Sequence, residues 1–118
     1  MFTIRYLLLS SEDIPAKTFI ESLDVRLRCK VFVKLNLLSE FGYELREPHC
    51  KYLVDGIYEL RIRDHILSIR LFYFYLENQS IIITHGFIKK TTKTPQDQIK
   101  KAQHYKQTML NQHRSLKS

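Results

Sequence analysis

Three short stretches carry the side chains suited to phosphate chemistry. "YELRIR" holds Glu59, Arg61 and Arg63, "SIRLFYF" holds Arg70 and Phe72, and "THGFIKK" holds His85, Phe87, Lys89 and Lys90. Arginine forks grip phosphate oxygens in pairs, and a lysine adds a point charge. An imidazole is the one side chain that titrates near neutrality without help. A turn at Asp64-His65 pairs Tyr58 with Leu71, Leu60 with Ile69 and Ile62 with Leu67, an apolar face made for a core. The opposite face pairs Glu59 with Arg70, Arg61 with Ser68 and Arg63 with Ile66. A second turn at Asn78-Gln79 adds His85 opposite Phe72, Phe87 opposite Arg70, and Lys89 beyond.

That face therefore collects Arg61, Arg70, Phe72, His85, Phe87 and Lys89. Guanidiniums, an imidazole, a lysine and aromatic rings are what a single-stranded RNA site uses, the rings stacking unpaired bases. Each member also has a plainer explanation. Arg70 and Glu59 form an ordinary cross-strand ion pair, His85 is a half-buried polar residue, and Phe72 and Phe87 lie beneath a helix. The register decides the grouping, because a one-residue slip moves His85 and Lys89 to the other side.

The elements that must position these residues follow from patterning. "FTIRYLLL" reads as a strand with Phe2, Ile4, Tyr6 and Leu8 on one side. "SSEDIPAKTFIESL" reads as a helix start, with Ser10, Ser11 and Asp13 as cap types, Pro15 in the first turn and Phe19, Ile20 and Leu23 as the apolar stripe. Val25 to Leu37 is ambiguous. Its apolar residues recur every second position, as in a strand, yet Asp24 and Gly42 bracket it as helix cap and stop. Glu40 to Gly56, broken by Gly42, Pro48 and Asp55-Gly56, reads mainly as loop. Strands follow at Ile57 to Arg63, Ile66 to Tyr75 and Ile81 to Ile88. A final helix begins near Thr94, with Pro95 at its first position.

Composition sets the bounds. The 118 residues fit one domain with one modest core, spanning 1–118, and the basic end from about residue 111 is expected to fray. The N-terminus lacks the long apolar region of a signal peptide, and no run is long enough for a transmembrane helix. Cys29 and Cys50 have no metal-ligand spacing and read as free thiols in a reducing cytoplasm. No metal or cofactor site is expected. The net charge of +7 is unevenly placed: residues 1–88 hold 11 basic and 11 acidic residues, while residues 89–118 hold 8 and 1. The excess starts in "GFIKKTTKTP", a strand-to-helix junction, where Lys89, Lys90 and Lys93 could clamp a polyanion or merely face solvent.

"KYLVDGIYELRI", "IRLFYF" and "IIITHGFIKKTTKTPQDQIKKA" resemble the RelE/HigB-type toxins of bacterial type II toxin–antitoxin systems, in their phage-derived HigB-like branch, over about Lys51 to Ala102. A departure is Ile69, where that pattern has an aromatic before the arginine. The resemblance implies an α+β, RelE-like fold: an antiparallel sheet, two N-terminal helices on one face and a C-terminal helix, with Val25 to Phe41 helical. It also implies a metal-independent endoribonuclease that cuts mRNA in the ribosomal A site by 2′-hydroxyl attack, leaving a 2′,3′-cyclic phosphate. On that reading Arg70, His85 and Lys89 are catalytic, His85 or a lysine of depressed pKa moving the proton. Arg61, Phe72, Phe87, Lys90 and Lys93 bind RNA. The implied partner is a helix-turn-helix antitoxin of the HigA kind; direct sequence-specific DNA binding by this chain is not expected. The alternative is a basic RNA- or ribosome-binding module without cleavage.

Overall fold

In the computed structural model, which describes residues 1–77 and 79–117 (side chains of 115–117 apart), the architecture is α+β. The strands are β1 (Thr3–Tyr6), β2 (Cys50–Val54), β3 (Ile57–Arg63), β4 (Ser68–Leu76) and β5 (Ser80–Lys89). The helices are α1 (Pro15–Glu21), α2 (Val25–Phe41) and α3 (Gln96–Lys117). The sheet order is β1-β5-β4-β3-β2, antiparallel throughout except that β1 joins β5 in parallel. The frayed end expected from about residue 111 lies partly outside the described residues.

Strand alternation splits the apolar residues between two cores. Leu60, Ile62, Ile69, Leu71, Tyr73, Ile81 and Ile83 face α1 and α2, meeting Ala16, Ile20, Leu27, Val31, Leu35 and Leu38. Ile57, Phe72, Phe74 and Ile82 face the other way and pack with Leu7 and Ala102, flanked by Ile99 and Tyr105 of α3. The second face is thus covered by α3 rather than open. Coverage follows from where α3 is tied: Thr94 Oγ1 donates to Glu59 Oε2 at 2.5 Å, and Gln103 Nε2 donates to Asp55 Oδ2 at 2.5 Å. The helix begins only at Gln96, after Thr94, and leaves the end of the sheet carrying Arg61, Arg63 and Arg70 uncovered.

Two local features set the register. The β3–β4 turn is longer than the expected Asp64-His65 pair. Leu60 faces Leu71 and Ile62 faces Ile69, two residues beyond the expected partners, so Arg61 lies opposite Arg70 and Glu59 opposite Phe72. Asp64 accounts for the difference: its Oδ1 accepts from the backbone N–H groups of Ile66 (2.8 Å) and Leu67 (2.6 Å), closing a wider turn. A shift of two preserves which face each residue occupies. Between β4 and β5 the expected pairs hold, Phe72 with His85 and Arg70 with Phe87. A bulge follows, because Tyr73 faces Ile83 and Thr84 is the extra residue. The bulge lets Ile81 and Ile83 enter the first core while His85 and Phe87 face α3. The turn expected at Asn78-Gln79 falls partly outside the described residues; Gln79 has φ 59°.

At α1 the cap differs from expectation. Ile14 is the N-cap with no side-chain bond, and Ser10 Oγ instead accepts from the N–H groups of Glu12 and Asp13 to form a separate turn. Asp24 caps α2 as expected, accepting from the Leu27 N–H at 2.9 Å. Cys50–Val54, read as loop, is the edge strand β2, turned onto β3 through Asp55 (φ 54°) and Gly56 (φ 76°).

Candidate nucleic-acid interface

The uncovered end of the sheet forms a basic groove. One concavity, about 460 Å³, is lined by Arg63, the β3–β4 turn, Ser68, Arg70, Lys89, Thr91 and Thr92. A second, about 250 Å³, is lined by Lys34, Pro48, His49, Arg61, Arg63 and Arg70. Arg63 and Arg70 line both, so the two are lobes of one groove with Arg70 in its floor.

The electrostatics are set by a carboxylate beneath the cations. Glu59 is 0% exposed. Its Oε1 lies 3.3 Å from Arg61 Nε and 3.4 Å from Arg70 Nε, while its Oε2 takes the Thr94 hydroxyl. Arg70 is 4% exposed, and its Nη1 has no hydrogen-bond partner among the described residues. Burial lowers the Arg70 pKa, Glu59 offsets part of this, and Arg61 and Arg63 add to it; a guanidinium stays charged regardless. Lys89, paired with Ser68 across the sheet, is pulled below the usual lysine range by burial and then by Arg70. It gives up its proton more readily than a free lysine does.

Arg70, Arg61 and Lys89 thus meet in the groove. Lys90 and Lys93 are exposed on the connection whose Thr91 and Thr92 form a wall. The other expected residues lie elsewhere. Phe72 is fully buried in the second core, with no ring face open to a base, and half-buried Phe87 packs against it with centroids 5.4 Å apart. His85 is 3% exposed beneath α3, with its ring edge-on to both Phe72 and Tyr105. Its Nε2 is 2.9 Å from Gln98 Oε1 and its Nδ1 3.1 Å from Thr84 Oγ1. Burial pushes its pKa down to about 4, only partly opposed by Gln98. The plainer explanation of each, a packed aromatic and a buried polar ring, describes where they sit. The covering helix is the physical cause.

Sequence reasoning passed over Lys34 and His49. Lys34 Nζ lies 3.0 Å from His49 Nδ1, and burial lowers the lysine's pKa. The contact holds the His49 ring against Lys34 at the edge of the groove. His49 was hidden because its segment read as loop. The Asp55-Gly56 turn carried the signal, since folding β2 back from it brings His49 beside Arg61, whose N–H donates to the His49 carbonyl at 2.8 Å.

The family described as phage-derived protein Gp49-like (DUF891) matches residues 18–107. No curated protein matches the chain. The matched span runs from within α1 into α3 and includes every residue of the groove. The chain therefore belongs to the Gp49-like phage-derived family, a RelE-like toxin family of toxin–antitoxin systems.

Proposed function

We propose that this chain is a toxin that cuts mRNA in the ribosomal A site, with the RNA's own 2′-hydroxyl as nucleophile. The observation that carries this reading is the unspent Nη1 of buried Arg70. A buried charged donor without an acceptor is costly, and Arg70 lines both lobes of the groove. A phosphate oxygen satisfies it, and a phosphorane, with more charge on that oxygen, satisfies it better.

In this step the 2′-oxygen attacks phosphorus and gives its proton to Lys89 in its neutral form. The bond from phosphorus to the 5′-oxygen breaks, and that oxygen takes a proton from the His49–Lys34 pair. The products are a 2′,3′-cyclic phosphate and a 5′-hydroxyl. Arg61 and Arg63 hold the flanking phosphates, with Lys90 and Lys93 extending the path. The antitoxin partner, of the HigA kind, belongs to the same proposal. The test is to map transcript 5′ ends after brief induction. New ends phased to the A-site codon are expected; arrested translation with intact mRNA would assign the groove to binding without cleavage.

A further inference from the structure

The alternating apolar pattern of α2 has a structural cause: the helix carries two apolar faces. Leu27, Val31, Leu35 and Leu38 form the buried one. Val25, Cys29, Phe32 and Val33 recur at the spacing of the opposite face and are exposed, Val25 at 66%, Phe32 at 47% and Val33 at 68%. Nothing among the described residues covers them. Such a ridge on a monomer marks a docking surface more often than scattered exposure does.

The surroundings define the occupant. Lys30 and Lys34 stand one helical turn apart beside the ridge, in line with Arg26, which is itself paired with Asp64 and Asp24. A hollow of about 310 Å³, lined by Cys29, Lys30, Val33, Lys34, Ile62 and Arg63, joins the ridge to the basic groove. A second copy of this chain would set the same basic row, on a molecule of net charge +7, against its own image. An acidic amphipathic helix fits both features, with its apolar stripe on the ridge and its carboxylates along the row.

We propose that this face of α2 is the docking site of an acidic amphipathic helix of the antitoxin, which rests on the toxin reading above. The occupant meets Lys34 and Arg63, which also line the groove, so docking draws on charges that RNA needs. The test uses the full chain and the purified product of the adjacent reading frame, with affinity measured by calorimetry. Val33→Asp places a carboxylate on the ridge, and Lys30→Glu reverses the row; neither residue belongs to the groove's chemistry. Each change is expected to weaken binding about tenfold or more. Circular dichroism and growth arrest by the chain alone should stay as in the unmodified protein. Growth arrest that the partner relieves for the unmodified chain but not for Val33→Asp gives the same result in cells. Unchanged affinity in the folded variants overturns the proposal, as does failure of the unmodified chain to bind. A homodimer that Val33→Asp dissociates overturns it too, by assigning the ridge to a second copy. Growth arrest is read separately, so loss of this proposal leaves the toxin reading standing.

Discussion

Arg70 and the two histidines define what the groove can do, and they are separable by substitution. Arg70→Ala should abolish growth arrest while the circular dichroism spectrum is retained, because Glu59 keeps Arg61 and Thr94 as partners. Undiminished toxicity of the folded variant would remove Arg70 from the mechanism. His49→Gln should slow single-turnover cleavage on programmed ribosomes by about 100-fold, the lower range for removal of acid–base catalysis. His85→Gln should leave the rate within a few fold and change stability instead. The direction comes from its pKa, about 4 when folded against 6.5 free. Between these values the unfolded chain binds more protons, so folding stability falls as pH drops from about 6.5 to about 4, by at most about 3 kcal/mol from this group. Urea unfolding at pH 7 and pH 4.5 should show a loss in the unmodified protein that His85→Gln reduces. An equal loss in the variant would mean His85 is not held neutral.

At the level of elements, glycines mark where helices meet strands closely. Gly42 ends α2 at φ +50°, where a Cβ would overlap the ring of Phe2. Phe2 is wedged edge-on against Tyr43 and Tyr75, so it has little freedom to move. Gly42→Ala should therefore cost about 2–4 kcal/mol from backbone strain and overpacking together, read from the urea midpoint. A loss well under 1 kcal/mol would show that Phe2 is free to yield. Gly86 explains the "HGF" stretch in the same terms: a Cβ there would meet Leu71 and Phe19 at 2.5 Å, so α1 packs onto β5 only at a glycine, between two residues facing α3. Much of this architecture was readable in advance. The bounds of β3, the Asp24 cap and the pairing of Arg70 with Phe87 all follow from alternation and cap chemistry. What alternation could not show was tertiary. It cannot tell a half-exposed face from one under a helix, so Phe72 and His85 read as accessible. It also ignores the Asp64 side chain, whose bonds lengthen the β3–β4 turn, and a five-residue edge strand after Pro48 leaves too little pattern to see.

On the scale of the whole molecule, charge by sequence and charge by place disagree. The formal excess lies entirely in residues 89–118, yet Lys34, Arg61, Arg63 and Arg70 come from the balanced part. Of the basic tail, Lys89 lines the groove, Lys90 and Lys93 stand beside it, and Lys106 is engaged with the Asp55 carbonyl. Long-range attraction and local contact are thereby assigned to different residues. Distant exposed charges are screened beyond about 8–10 Å at ordinary ionic strength, so they speed encounter without fixing register. Counterion release, by contrast, scales with phosphates directly neutralised. Changing Lys89, Lys90 and Lys93 together to Gln should lower the slope of log affinity for a short single-stranded RNA against log salt by about 0.7 for each phosphate that is no longer neutralised. Changing exposed Lys100 and Arg114 to Gln should leave that slope nearly unaltered while slowing association at low salt. If both sets lowered the slope equally, RNA would be tracking the outer face of α3, and the groove around Arg70 would not be its path.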